Sequence, residues 1–333
     1  MLFQRGVNPL QRNKNNKTPH DNIQHASYDA TPGIERSRDL YERELAKRQQ
    51  AKAAIAAGVA VDRASSLSVE SSPALRLSAQ ELKPAFTAAP TVDDFAVVIG
   101  IETYVDLPAA TYAERDAAAA KSFLRALGLP ERNIMTLTGS RATKSGLEKT
   151  IEDWLPNNVS ERSRVYFYYS GHGAPDPKSG SAYLLPSDGD PQYLARTGYP
   201  LKQLYFQLGQ LKAKQVLVAL DSCFSGAGGR SVVAKGTRPL VGRVDVAAQS
   251  DGKVSVVSAS AGDQVSGAND SAGYGLFTYN FLQGLNGAAK DDRGHVTLKA
   301  VYDYLKPRVQ DDARRANRDQ TPQLQGDGAW SLR

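Results

Sequence analysis

From residue 93 onward, short and almost uninterrupted apolar runs alternate with stretches of helix-forming residues, and this restricts the chain to one fold class. The runs are Phe95–Ile101, Ile134–Leu137, Val165–Tyr169, Val216–Leu220 and Val254–Ser258. A strand with one face in water alternates apolar and polar residues; these do not, which predicts strands covered on both faces. Helices are predicted between and after them, over Ala113–Leu127, Thr143–Leu155, Leu201–Leu211, Phe277–Leu285 and Leu298–Ala316. Strands alternating with helices make an α/β domain, a mostly parallel sheet with helices on both faces. No internal repeat competes with this reading, and the about 240 residues available suffice for one such domain.

The preceding residues have another character. Residues 1–32 are polar, rich in Asn, Gln and Lys, and predict disorder. Residues 34–57 are strong helix formers whose apolar face is little more than Leu40, Leu45 and Ile55, so a helix there is solvated or partner-dependent. Residues 62–92, rich in Ser, Pro and Ala, read as a linker, which places the domain at 93–333. Lys and Arg number 41 against 35 Asp and Glu. That excess is small and no aromatics interleave with the basic residues. The N-terminus therefore reads as a solubilising tail or a partner-binding extension, with no nucleic acid expected; a tether to nucleic acid or a membrane surface through residues 1–60 is the rival. No window reaches the about 18 uncharged apolar residues of a membrane helix. Met1-Leu2-Phe3 runs straight into polar residues, without a signal peptide's apolar core. The expectation is a cytoplasmic protein.

In an open α/β sheet, ligands bind beyond the carboxyl ends of the strands. Two predicted strands run directly into chemistry-bearing residues. Val165–Tyr169 is followed by Ser170-Gly171-His172-Gly173, and Val216–Leu220 by Asp221-Ser222-Cys223-Phe224-Ser225-Gly226. Cys223 is the only cysteine, which excludes an intramolecular disulfide and any multi-cysteine metal site. Alone, such a cysteine is ordinarily a buried small hydrophobe and Gly-His-Gly ordinarily a turn. If the two strands are neighbours, the pair instead delivers a thiol and an imidazole to one crevice, a nucleophile with its acid/base partner. The glycines let a substrate carbonyl approach the backbone. The N–H groups of Gly173 and Cys223 are the candidate oxyanion donors.

On these motifs the sequence resembles the caspase-like cysteine peptidases, and among them the metacaspases and bacterial caspase-like proteins, over residues 93–328. YYSGHG at 168–173 and DSCFSG at 221–226 carry most of the resemblance. VVIGIETY at 97–104, YAERDA at 112–117, SASAGDQVS at 258–266 and GLFTYNFLQGL at 275–285 support it. The separation of 223 − 172 = 51 residues matches the about 50 between His and Cys in that group. The resemblance implies a caspase–hemoglobinase fold with a six-stranded sheet, a dyad of His172 and Cys223, peptide-bond hydrolysis, and no cofactor.

Aspartate-specific members hold the substrate carboxylate with two arginines and a Gln two positions before the Cys. Here the first arginine position, six before Asp116, is Ala110; the second falls at Gly267; the Gln position is Asp221. This leaves no cation for an acidic side chain. Metacaspases line the pocket with acids, and Asp116 and Asp221 match those positions, with Ser170 nearby. Two carboxylates and a hydroxyl suit a guanidinium or ammonium group, so the expected substrates carry Arg or Lys at the cleaved position.

Metacaspases often bind calcium through clustered acids between the two motifs. In this chain Lys178-Ser179-Gly180-Ser181 and Leu201-Lys202 replace them, and Asp188 and Asp190 read as turn residues, so no metal site is carried over. The Gly-rich segment 225–253 coincides with the place where caspases are cut between subunits. Arg230, Lys235, Arg238 and Arg243 are its candidate autocleavage positions. A catalytically silent scaffold or signalling module of the same fold is the alternative.

Overall fold

The computed structural model describes residues 81–176, 181–224, 252–261, 264 and 266–333. The expectations for residues 1–80, Lys178–Gly180 and the four candidate autocleavage positions lie outside these residues.

The body is a six-stranded, mostly parallel sheet between helices. Its core strands are β1 (Phe95–Gly100), β2 (Ile134–Thr138), β3 (Arg164–Ser170), β7 (Gln215–Asp221) and β8 (Val254–Ser258). The sixth, β11 (Gln323–Gln325), pairs antiparallel with β8 at one edge. The order is β11-β8-β7-β3-β1-β2. The five apolar runs are therefore the five parallel strands. Polar, short β11 carries no such signal; it forms because the chain returns along an open edge. Two small antiparallel sheets extend the carboxyl end. One is β4 (Gly173–Pro175), β5 (Ala182–Leu184) and β6 (Tyr199–Pro200); the other is β9 (Ala268–Asn269) with β10 (Tyr274–Gly275).

Alternate residues of each strand enter two separate cores, as the period of two requires. Val97, Ile99, Val165, Phe167, Tyr169, Val216, Val218 and Leu220 face one side. There they meet a helical stretch at 144–158, here α2, and α3 (Leu201–Gln210), through Leu147, Ile151, Leu155, Leu204 and Leu208. Ala96, Val98, Tyr166, Tyr168, Leu217 and Ala219 face the other side. They are covered by α1 (Ala113–Ala126), α4 (Leu276–Gln283) and α5 (Leu298–Arg315). Within α2, Lys149–Trp154 is a π-helical turn, followed by Pro156 in the last turn, Leu155–Asn158.

Residues 82–91, compositionally part of a linker, lie as a strap on the α1/α4 side. Leu82 N donates to Tyr274 Oη at 3.0 Å, and Asn286 brackets the strap by accepting from Ala85 N at 2.6 Å and donating to Lys83 O at 3.0 Å. Ala88 N and Thr91 N bond to Ala126 O and Gly128 O, and Phe86 meets Phe123 edge-on with centroids 6.1 Å apart.

Candidate active site

β3 and β7 are adjacent and parallel, in a register that sets Ser170 opposite Asp221. His172 lies two residues beyond the first and Cys223 two beyond the second, so the sheet's own ladder brings the two residues to the same end of neighbouring strands. Gly171 N donates across the gap to Asp221 O at 3.3 Å. A Cβ on Gly173 would overlap Cys223 O and the Phe224 ring, so the His loop rests directly on the Cys loop. That contact is the physical reason for glycine after the histidine.

His172 is held from every direction. Its backbone N donates to Tyr104 Oη at 2.7 Å, with the two rings 4.7 Å apart. Tyr169 Oη lies 2.7 Å from His172 O and 2.9 Å from Leu185 O. Its Nε2 sits 2.7 Å from Pro108 O. A carbonyl only accepts, so Nε2 carries the proton and Nδ1 is the acceptor nitrogen of the ring. The Ser266 backbone N–H donates to Cys223 Sγ, a contact that suits a thiolate. Cys223 is 0% and His172 1% exposed.

The period of two continues past the hydrophobic residues: Ser170 follows Tyr168, and Asp221 follows Ala219, onto the face covered by α1 and α4. Asp116 comes up to meet them from the first turn of α1, which starts after a left-handed Tyr112 at φ 69°. Asp116 Oδ2 accepts from Ser170 Oγ at 3.0 Å and Oδ1 from Gly275 N at 2.9 Å. Asp221 Oδ1 accepts from Ser266 Oγ at 2.8 Å. Its Oδ2 accepts from Thr278 N at 3.2 Å and Thr278 Oγ1 at 2.6 Å. Tyr168 Oη, 2.6 Å from Thr278 Oγ1, must then be the donor to it. A Cβ on Gly275 would meet Asp116 Oδ2 at 3.0 Å and overlap Asp221 Oδ2. The two carboxylates thus flank one bare backbone position, next to the first amides of α4, whose partial positive charge suits them. Both aspartates are fully buried.

The structure therefore places Asp116, Ser170 and Asp221 together, and Gly173, Cys223 and His172 together. It corrects one expectation. Gly267 was read as leaving no cation near the pocket, yet Arg318 lays its guanidinium on Gly267: a Cβ there would meet Nη1 and Nη2 at 2.5 Å. A residue 51 positions downstream covers the place that an alignment along the chain reads as empty (318 − 267 = 51). Sequence reasoning missed Pro108, Tyr104, Ser266, Thr278 and Gly275 as site residues. The last three lie in SASAGDQVS and GLFTYNFLQGL, segments marked by resemblance alone; a backbone carbonyl such as that of Pro108 has no sequence signature at all. Asp188 accepts from Lys144 N at 2.9 Å at the start of α2, and Asp190 from Gln192 N at 2.8 Å in a turn. Among the described residues, no three His, Cys, Asp or Glu side chains cluster as metal ligands. No helix among them is long and apolar enough to cross a membrane.

A family profile described as the caspase domain matches residues 93–328. The crystal structure of protein GSU0716 from Geobacter sulfurreducens superposes with a TM-score of 0.51, over 71% of this chain and 94% of that one, at 20% identity. That likeness concerns the fold. No curated protein matches the chain.

Proposed function

Because this chain belongs to the caspase-domain family of cysteine peptidases, we propose that it is an endopeptidase of the metacaspase or bacterial caspase-like kind, cleaving after Arg or Lys. Cys223 is the nucleophile and His172 the acid/base. The imidazole Nδ1 takes the thiol proton, and the sulfur attacks the carbonyl carbon of the scissile bond. The N–H groups of Gly173 and Cys223 receive the oxyanion. As the C–N bond breaks, His172 returns the proton to the leaving amine. Water, deprotonated by the same ring, then hydrolyses the thioester and regenerates the thiol. The basic side chain enters beside Asp116, Ser170 and Asp221, whose carboxylates replace the hydration it loses. Residues 93–333 are the peptidase domain in this reading, with 82–91 strapped to it, and the part of the 1–92 extension before the strap is open to a protein partner.

The observation that supports it best is the β3–β7 register, Ser170 opposite Asp221, which delivers His172 and Cys223 to the same end of neighbouring strands. Both residues are buried, so turnover requires whatever covers them to move. Self-cleavage in 225–253, after Arg230, Lys235, Arg238 or Arg243, is the processing step that a pocket for basic side chains would perform. The same burial favours a second reading, a caspase-fold scaffold without turnover. A fluorogenic peptide panel varying the cleaved residue separates the two. Purified protein is expected to cut after Arg and Lys and not after Asp. Cys223→Ala abolishes cutting and leaves the chain a single species by intact mass; His172→Ala lowers it by orders of magnitude. Turnover by folded Cys223→Ala, or cleavage after Asp, rules the proposal out.

A further inference from the structure

Arg318 has no role in the chemistry above, yet it is held at the edge of the site by a dedicated turn. Helix α5 closes with Asn317 in the left-handed region at φ 52°. Asn317 N bonds to Arg314 O at 2.9 Å and Arg318 N to Ala313 O at 3.0 Å. This pair of bonds is the Schellman closure, and it makes the chain turn sharply at Arg318. Gln320 then pins the turn to the site. It is 2% exposed, accepts from Gly267 N at 2.9 Å and donates to Ala259 O at 3.0 Å. Thr321 N adds a 2.6 Å bond to Gln264 Oε1. The guanidinium ends flat on Gly267, whose missing side chain is what admits it. Gly267 directly follows Ser266, which bonds to Cys223 Sγ with its N–H and to Asp221 with its hydroxyl.

The neighbouring arginines of α5 are in ion pairs, Arg314 with Asp311 and Arg315 with Asp312. Half-buried Arg318 makes no ion pair with a described residue. A guanidinium positioned this carefully, and in no ion pair among the described residues, is a fork for a carboxylate. An extended peptide rises about 3.3 Å per residue, so side chains within three residues of the cleaved one reach about 10 Å along the site.

Resting on the peptidase reading, we propose that Arg318 selects substrates with an Asp or Glu within three residues of the cleaved Arg or Lys. The site then reads a charge pair of opposite signs: the aspartates take the base, and Arg318 takes the acid.

The test uses the full chain and internally quenched peptides in which one of the six flanking positions is Glu, Gln or Lys around a fixed central Arg. Binding of the labelled peptides is read in parallel on Cys223→Ala, so the answer does not depend on turnover. At one position at least, Glu is expected to improve kcat/KM and affinity over Gln by about ten-fold. Arg318→Gln brings that ratio to about one, Arg318→Glu shifts the preference to Lys, and Arg318→Lys retains a preference for Glu. High salt shrinks the ratio. Equal affinity for Glu and Gln peptides at all six positions overturns the proposal. So does a Glu preference that survives Arg318→Gln. So does an Arg318→Gln protein that weakens Glu and Gln peptides alike, since that is the mark of a structural residue. A matched set with a central Gln tests the basic pocket separately: failure to distinguish central Arg from Gln would sink that pocket, which the Glu-to-Gln ratio does not measure.

Discussion

Among the described residues Asp221 accepts from the Ser266 hydroxyl and from the Thr278 amide and hydroxyl, and it is fully buried. An asparagine keeps one accepting oxygen and turns an NH2 group towards a donor, so at least one buried donor loses its partner. That costs about 1–3 kcal/mol of stability. Removal of the charge adds a loss that only a basic substrate feels. Breaking a buried ion pair by deleting one partner costs about 3–5 kcal/mol, or about two to three and a half decades in rate. Asp221→Asn is therefore expected to lower kcat/KM for Arg and Lys peptides by at least about 10²-fold. The thiol stays reactive to alkylation, and the melting temperature falls modestly. Unchanged cleavage after Arg in a folded Asp221→Asn would mean that the substrate's charge is met elsewhere.

The chemistry-bearing elements are β3, β7 and α4. The first two are readable along the chain because strands buried on both faces are written as unbroken apolar runs, and the motifs at their ends, each ordinary alone, combine as a pair. Asp116 and Asp221 could be proposed as partners only through resemblance, since no periodicity links positions 105 residues apart (221 − 116). Arg318 was illegible: its approach to Gly267 is created by the turn after α5, and an alignment along the chain reports only a glycine. The sequence predicts α4 as a helix, but not that its N-cap Gly275 and its Thr278 hydrogen-bond the two buried carboxylates. That linkage is testable. Thr278 Oγ1 donates to Asp221 and accepts from Tyr168 Oη, each at 2.6 Å. Thr278→Val deletes both bonds and takes a partner from the buried hydroxyl of Tyr168, at a cost of about 1–3 kcal/mol. At about 2–4 °C per kcal/mol for a domain of this size, calorimetry should show a clear drop in Tm. Thr278→Ser, which keeps the hydroxyl, should restore most of it. An equal drop in both variants would show that the methyl group, not the hydrogen-bond chain, is what matters.

At the scale of the molecule, the 82–91 strap is tied into the same system. Leu82 N bonds to Tyr274 Oη, and Tyr274 precedes Gly275, whose N–H holds Asp116. A chain lacking residues 1–91 is expected to melt at least about 2–4 °C below one lacking residues 1–80, because the buried bond from Leu82 N to Tyr274 Oη is lost together with the two exposed strap bonds of Asn286. It should also bind basic peptides less well. Identical melting curves for the two truncations would make the strap a passive passenger. The sheet register has a different consequence, for how such a protein can change. His172 and Cys223 are spaced by two adjacent strands, that is, by backbone hydrogen bonds that no side-chain substitution rewrites. In the proposed reading, Ser170 and Asp221 sit on those same strands, while the rest of what meets the substrate is laid over one face from elsewhere: Asp116 from α1 and Arg318 from just beyond the end of α5. Reactivity and part of the preference can therefore be inherited separately. A lineage built on this plan can exchange its diet residue by residue while the cutting edge stays as it was.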